Sequence, residues 1–227
     1  VAWCFDKEKI CQAEEEVRKY KNLIGILTPV VKSYASEKGF DVCVEAMQVF
    51  GGYGYTQEYP VEQMVRDCKI ASIYEGANGI QAMDFLGRKL TQGKGAALEA
   101  LVNEMRIIIQ KAKDKKRLES LAQKLEKAVD LLDTTCRKTC MAIFSAQPVS
   151  AFACAHPLMD AAGDVIMAWM LLWRAVIADE KTEGKEAAFY TGKIRTAEFF
   201  INTMLPTTIG KLEAVTFENN PVALMDE

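Results

Sequence analysis

Apolar positions recur every three to four residues along most of the chain, and few stretches alternate with period two. This is the pattern of amphipathic helices, not of half-buried strands, and it predicts an all-α fold. Residues 17–27 read as one helical piece. Thr28-Pro29 then reads as a fresh start, with Thr28 as N-cap and Pro29 at the first helical position. The helix it opens runs to Lys38 and stops at Gly39. Asp41 is placed to cap the next, which carries Val42, Ala46 and Val49 and ends at Gly51-Gly52. Residues 51–60 form a loop of glycines and tyrosines. Helix resumes over 61–73, breaks at Tyr74-Glu75-Gly76, and continues over 77–90.

Residues 91–95, with Gln92-Gly93-Lys94-Gly95, read as a linker that divides the chain into 1–92 and 93–227. Beyond it Leu118, Leu121, Leu125, Ala128 and Leu132 follow a 3-4-3-4 spacing, the seam of a packed helix. Pro148 and Pro157 interrupt the next stretch. Residues 158–178 are apolar on nearly every face and are predicted to be the central, most buried helix of a bundle. Residues 181–184 read as a turn, 185–205 as a helix stopped by Pro206, and the tail after Lys211, with Asn219-Asn220-Pro221, as irregular. The basic cluster at 111–117 reads as a solvated helix end or turn.

Composition narrows the functional classes. The chain has 227 residues, half of them apolar and 26% charged, with 28 Lys+Arg against 31 Asp+Glu and a net charge of -3. That is globular usage, long enough to bury a core. It lacks the basic face that general nucleic-acid binding needs. The longest apolar run, Val165 to Trp173, falls short of the roughly 20 residues of a membrane span, so none is expected. No charged-then-apolar leader is visible. The seven cysteines form no C-x-x-C pair, and His156 is the single histidine. The cysteines read as small core residues in a reducing compartment, and no metal site is expected.

Three features between 48 and 81 carry candidate chemistry. Gln48-Val49-Phe50-Gly51-Gly52-Tyr53-Gly54-Tyr55 places glycines at a helix end, where backbone amides can approach a ligand closely; a Gly-Gly helix stop without any ligand is the plainer reading. Arg66-Asp67 are adjacent on a helix and point in different directions, so each needs its own partner, by default an ordinary structural one. Ile73-Tyr74-Glu75-Gly76-Ala77-Asn78-Gly79-Ile80-Gln81 puts a carboxylate in a short break between helices. The start of the next helix favours an anion, so Glu75 by itself also reads as a first-turn acidic residue.

Taken together, these segments resemble the C-terminal signature of the acyl-CoA dehydrogenases. That signature runs Gln-x-x-Gly-Gly-x-Gly-Tyr, Glu-x-Pro, Arg-Asp, Ile-Tyr-Glu-Gly-Thr and Ile-Gln. This chain supplies Gln48, Gly51, Gly52, Gly54, Tyr55, Glu58, Pro60, Arg66, Asp67, Ile73, Tyr74, Glu75, Gly76, Ile80 and Gln81. The resemblance extends thinly to 23–39. Gly87-Arg88-Lys89-Leu90, Lys193, Phe199-Phe200 and Leu205-Pro206 resemble the longer members, which add a C-terminal helical domain.

The resemblance implies a helical bundle of the family's C-terminal type over 1–92 followed by an appended helical bundle over 93–227. It implies FAD as cofactor, an acyl-CoA thioester as substrate and α,β-dehydrogenation as the reaction. By position Glu75 matches the general base that takes the α proton, while the β hydrogen leaves as hydride to the flavin. The Glu75 N–H and a flavin ribityl hydroxyl would polarise the thioester carbonyl. Tyr74 would wall the thioester site, and Gly76 would let substrate pass close to the backbone. Gln48 and Gly52 match contacts to the FAD of a neighbouring subunit, which implies a homo-oligomer. Ala77, Asn78 and Gly79 match the flavin-contacting turn. An electron-transfer flavoprotein is the implied electron acceptor, and the location is cytoplasmic, or the mitochondrial matrix in a eukaryote. Two departures stand out. Ala77 replaces the usual Thr and removes a hydroxyl partner for FAD. The family's N-terminal helical and middle β domains have no counterpart here, so the chain reads as a fragment not expected to turn over alone. The alternative is a non-catalytic helical dimerisation or interaction module derived from the family.

Overall fold

The computed structural model describes residues 1–145, 148–215 and 220–225. The fold is all-α, with no strand among the described residues. Helix α1 (Ala2–Ile10) is followed by α2 (Glu14–Phe50), a 3-10 turn (Gly51–Tyr55), α3 (Val61–Lys69), a second 3-10 turn (Ile70–Ser72) and α4 (Asn78–Asp84), which passes into a π turn (Phe85–Lys89). After the 3-10 turn Gln92–Gly95 come α5 (Ala96–Lys113), α6 (Glu119–Ile143), α7 (Pro148–Ala153), α8 (Ala155–Asp179), α9 (Ala187–Phe199), a second π turn (Phe200–Met204) and α10 (Leu205–Ala214).

Helix α2 corrects the expected break at Thr28-Pro29 and the expected stop at Gly39. It runs unbroken for 37 residues with Pro29 inside it. Thr28 caps nothing; its hydroxyl donates back to the Ile24 carbonyl at 2.7 Å. A buried stripe of Tyr20, Leu23, Leu27, Val30 and Ser33 holds one face of α2 in the bundle on both sides of the proline. That burial outweighs the roughly 3 kcal/mol that an interior proline costs. Gly39 is not a stop but a close approach: a Cβ there would lie 3.2 Å from the Cys68 sulfur of α3. Asp41, expected as a cap, lies inside the same helix. The true end is Gly51, in the left-handed region at φ 63.

Helical backbone is interrupted near 91–95. Gly93, Lys94 and Gly95, in the 3-10 turn between the π turn and α5, all take positive φ. A continuous apolar core nevertheless runs across it. Leu23, Ile26 and Val30 of α2 join Phe85, Leu86 and Leu90 before the break and Leu101, Met105, Leu125, Leu132, Leu158 and Leu172 after it. Each fully buried leucine contributes about 1.5–3 kcal/mol. The predicted seam is buried at all five positions, Leu118, Leu121, Leu125, Ala128 and Leu132.

Helix α8 is packed against α5, α6, α9 and α10. An 18-residue window in it reaches a mean hydropathy of 1.5, enough by length and composition to cross a membrane, but 67% of that window is buried inside the bundle. Two charged residues on it face partners. Asp164 accepts from Tyr34 Oη at 2.8 Å, Thr208 Oγ1 at 2.9 Å and Lys211 Nζ at 3.0 Å. Lys211 also reaches Asp160 at 2.8 Å. This network ties α2, α8 and α10 together. Burial and the Asp164 carboxylate push the Tyr34 hydroxyl well above the ordinary tyrosine range, so it stays a donor.

Three further expectations change. Pro206 does not stop a helix; it sits in the first turn of α10, where its missing N–H costs nothing, and helix continues to Ala214 past Lys211. The basic cluster is not merely solvated. Lys113 pairs with Glu126 at 2.7 Å, Lys115 with Glu180 at 3.0 Å and Arg117 with Glu198 at 3.5 Å, so the α5–α6 turn clasps α6, α8 and α9. Asn219 lies outside the described residues, while the Asn220 side chain accepts from the Val222 N–H at 3.0 Å. Cys136 and Cys140 share one face of α6, where burial raises both thiols, that of Cys140 to about 11.

Candidate functional site

The segment 70–81 shows how the chain presents a carboxylate. Helix α3 packs on α2 and tightens into the turn Ile70–Ser72, where the Ser72 hydroxyl donates to the Lys69 carbonyl at 2.9 Å. Arg66 and Asp67 have separate partners, as their spacing requires: Arg66 Nε lies 3.4 Å from Glu62, and Asp67 accepts from Gln63 at 3.4 Å. After Tyr74 the backbone reverses at two successive positive-φ residues, Glu75 at 53° and Gly76 at 86°. For Gly76 this costs little. For Glu75 it stores about 1–3 kcal/mol of strain, which persists only where the surroundings over-determine it. A Cβ at Gly76 would also lie 2.8 Å from Gln81 Nε2, the end of a side chain that can move aside, so it is the positive φ that calls for glycine here.

The turn is exposed on one side and anchored on the other. Glu75, Gly76, Ala77 and Gly79 are exposed. Among the described residues no hydrogen bond or ion pair engages the Glu75 carboxylate. An apolar rim surrounds it in sequence: Ile73, Tyr74 (53% exposed) and Ile80. Asn78 is the contrast, at 5% exposed. Its Oδ1 accepts from Lys32 Nζ at 2.8 Å, and its Nδ2 donates to Glu37 Oε1 at 2.6 Å and to Ser36 Oγ at 3.0 Å, whose own proton goes to the Ser33 carbonyl at 2.9 Å. The resemblance places Asn78 at a flavin-contacting turn; the structure commits its side chain to α2 and leaves only its backbone for a ligand.

Gln48 and Gly52 belong to a different place. Both are exposed, at the far end of α2. Along a helix rising 1.5 Å per residue, Gln48 lies about 18 Å from Ser36, beneath Asn78. The structure therefore brings Tyr74, Glu75, Gly76, Ala77, Asn78 and Gly79 together and leaves Gln48 and Gly52 apart from them. Around Gly52 the end of α2 and the turn after it expose Val49, Phe50, Tyr53 and Tyr55. Gly54 lets this turn close, since a Cβ there would fall 2.9 Å from the Met47 carbonyl.

Residue 77 is the N-cap of α4, and as alanine it makes no capping hydrogen bond. Threonine at an N-cap is worth about 0.5–2 kcal/mol over alanine. Ala77→Thr should therefore raise the denaturant midpoint by about 1 kcal/mol equivalent at unchanged m-value. A lower midpoint would show that the position does not act as a cap.

A concavity of about 960 Å³ lies elsewhere, between α2 and α5, with Lys19 and Glu104 paired across it at 2.7 Å. Its charges are mixed and it does not include the Glu75 turn. Among the described residues no three His, Cys, Asp or Glu side chains converge as a metal site would require. Lys32, Ser36 and Glu37 escape the motif reading. Their signal is Ser36, a polar residue buried on α2 beyond the last apolar positions of its stripe.

Comparison with known proteins matches both parts of the chain. The family model described as acyl-CoA dehydrogenase, C-terminal domain, matches residues 10–90, and the one described as acetyl-CoA dehydrogenase C-terminal like matches 101–226. The chain is 32% identical over 212 residues to a broad-specificity linear acyl-CoA dehydrogenase of Mycobacterium tuberculosis, covering 89% of this chain and 34% of that protein. It is 31% identical over 224 residues to a butyryl-CoA dehydrogenase of Syntrophomonas wolfei, covering 92% and 35%. Over 61 residues it is 48% identical to the CarC subunit of a caffeyl-CoA reductase-Etf complex of Acetobacterium woodii, covering 27% and 16%. The chain spans about a third of the length of the first two relatives. By the family models and these relatives, the chain belongs to the acyl-CoA dehydrogenase family and corresponds to the C-terminal region of its members.

Proposed function

We propose that the chain serves as the C-terminal part of a full-length, FAD-dependent acyl-CoA dehydrogenase, with Glu75 as the base that removes the α proton of an acyl-CoA thioester. The observation that carries this reading is the Glu75 turn itself. A carboxylate with no partner among the described residues is held in a strained left-handed conformation on an apolar rim. Strain of this kind gathers at sites of chemistry.

The residues present fit the cofactor. Gly52 and Gly79 leave open space where a Cβ would stand, and Gln48 is exposed beside the apolar end of α2. Gly79 and the backbone of Ala77 and Asn78 would hold one flavin, and Gln48 and Gly52 another, that of a neighbouring subunit. Bound FAD supplies the acceptor for the β hydrogen as hydride. The chain's own residues do the rest. The Glu75 carboxylate takes the α proton, and its N–H donates to the thioester carbonyl oxygen as negative charge builds there. Tyr74 walls the thioester and Gly76 admits it next to the backbone. The separation of Gln48 from the Glu75 turn, and the apolar residues exposed around it, support a homo-oligomer. The regions 1–92 and 93–227 act as the family bundle and an appended bundle, and by itself the chain does not turn over. An electron-transfer flavoprotein is the proposed acceptor, supported by the Etf complex named for one relative.

The test is anaerobic addition of butyryl-CoA, and longer straight-chain acyl-CoA thioesters, to the full-length protein. The oxidised flavin band should bleach with at least one of them. A full-length protein purified without flavin, and unable to take it up, would favour the interaction module instead.

A further inference from the structure

We propose that Asn78 is a positioning residue for the reaction: clamped onto α2 by Lys32, Ser36 and Glu37, it holds the Glu75 turn in its working conformation. The inference rests on the reading of Glu75 as the base. It deepens that reading by saying what keeps the base in place.

The clamp comes from three contacts to one buried amide, from Lys32 at 2.8 Å, Ser36 at 3.0 Å and Glu37 at 2.6 Å. Lys32 and Ser36 lie one turn apart on α2, Glu37 follows Ser36 in the chain, and all three reach Asn78. The orientation of the amide is dictated by chemistry. A lysine ammonium can only donate and an ionised carboxylate can only accept, so Oδ1 faces Lys32 and Nδ2 faces Glu37. No other side chain of this size offers an acceptor on one side and a donor on the other. Aspartate would set a second carboxylate against Glu37 at the 2.6 Å contact. Alanine would leave Glu37 and Ser36 without their partner.

The anchor lies three residues from Glu75. On the other side the chain is fixed at Ser72, buried in the turn that packs on α2. Between these two fixed points Ile73 to Ala77 must reverse direction, and Glu75 and Gly76 take the positive φ values that this requires. The carboxylate makes no contact of its own among the described residues, so its position is inherited from the backbone. Ala77 adds no capping bond at the start of α4. The Asn78 side chain is therefore the main polar tie between this turn and the scaffold. Misplacement of a catalytic group by about 1 Å can cost on the order of 10²-fold in rate, so such a tie is a catalytic requirement even though it touches no substrate.

The test uses Asn78→Asp, Glu37→Gln and the double variant. In the double variant the new amide at position 37 donates where the Glu37 carboxylate accepted. The new carboxylate at position 78 still accepts from Lys32, so the clamp re-forms with its polarity exchanged. In the full-length protein Asn78→Asp should lower the limiting rate of flavin reduction by butyryl-CoA by about tenfold or more. FAD content should stay unchanged and the substrate concentration for half-maximal rate should move less than about threefold. The double variant should recover most of the rate. In the chain of 227 residues, hydrogen exchange of peptides covering 70–84 should speed up in Asn78→Asp and return in the double variant. Ser36→Ala, a milder change, should give a smaller loss of rate in a protein that folds. A wild-type reduction rate in Asn78→Asp, with Glu75→Gln inactive, would overturn the clamp and leave the base assignment standing. An active Glu75→Gln would overturn the base assignment and with it the catalytic role of the clamp. A double variant no better than Asn78→Asp would overturn the pairing on which the proposal depends.

Discussion

In the full-length protein Glu75→Gln should nearly abolish flavin reduction by acyl-CoA while leaving FAD and substrate binding largely intact. The amide keeps the shape and one acceptor oxygen but cannot take a proton at neutral pH. A positioned general base is typically worth roughly 10²–10⁴-fold. The loss should lie at the upper end, because the rim of Ile73, Tyr74 and Ile80 offers no second base. Glu58, Glu62 and Asp67 are internal controls. Glu62 is engaged by Arg66 and Asp67 by Gln63 along α3, so both are spoken for within the helix. Glu58 lies in the turn that precedes α3. Their amide variants should retain most activity. A Glu75→Gln protein keeping more than about a tenth of the wild-type reduction rate would return Glu75 to an ordinary turn carboxylate ahead of the α4 N-cap.

Gly163→Ala should destabilise the bundle, against the usual sign of that substitution. Glycine to alanine inside a helix normally stabilises by about 1 kcal/mol. In α8 a Cβ at Gly163 would meet the Tyr34 ring, 2.8 Å from both Cγ and Cε2 and still closer to Cδ2. The ring cannot simply swing away, because its hydroxyl is held by Asp164 at 2.8 Å. Overpacking costs about 1–3 kcal/mol and loss of a hydrogen bond to a charged group about 1.5–3 kcal/mol. Net of the helix term, a loss of about 1.5–5 kcal/mol is expected. Gly192→Ala in α9 is the matched control: a Cβ there meets nothing within 4 Å, so it should stabilise by about 0.5–1 kcal/mol. Denaturant midpoints of the two variants should move in opposite directions. Movement in the same direction would mean that the Tyr34 ring does not lock α2 to α8.

The parts of the fold that can be read ahead are those where one helix face decides the outcome. The α6 seam and the apolar α8 are local patterns, and both are buried as their spacing implies. The break at Tyr74-Glu75-Gly76 is also legible, because glycine and the interruption of the apolar period coincide there. The rest depends on contacts distant in sequence. Thr28-Pro29 and Gly39 carry strong local signals for a boundary, yet Ile26, Val30 and Ser33 are buried against the bundle and carry α2 straight through. Gly39 is glycine because Cys68 passes over it, a reason invisible until α3 folds back. Asn78 belongs to a recognisable motif, but its partners lie 41 to 46 residues earlier. Asp160 and Asp164, one turn apart inside the most apolar helix, are the available hint of a buried polar network, and Lys211 and Thr208 answer them from α10.

Removal of the α proton by Glu75 can be followed directly, by loss of an isotope label from the α carbon. Full-length protein with bound FAD is mixed with acyl-CoA carrying deuterium at that carbon, and loss of the label to solvent is monitored by NMR or mass spectrometry. The wild-type protein should release α-deuterium into water, while Glu75→Gln, with substrate bound to the same extent, should retain it. Release at the wild-type rate from the Glu75→Gln protein would contradict the assignment of Glu75 as the base.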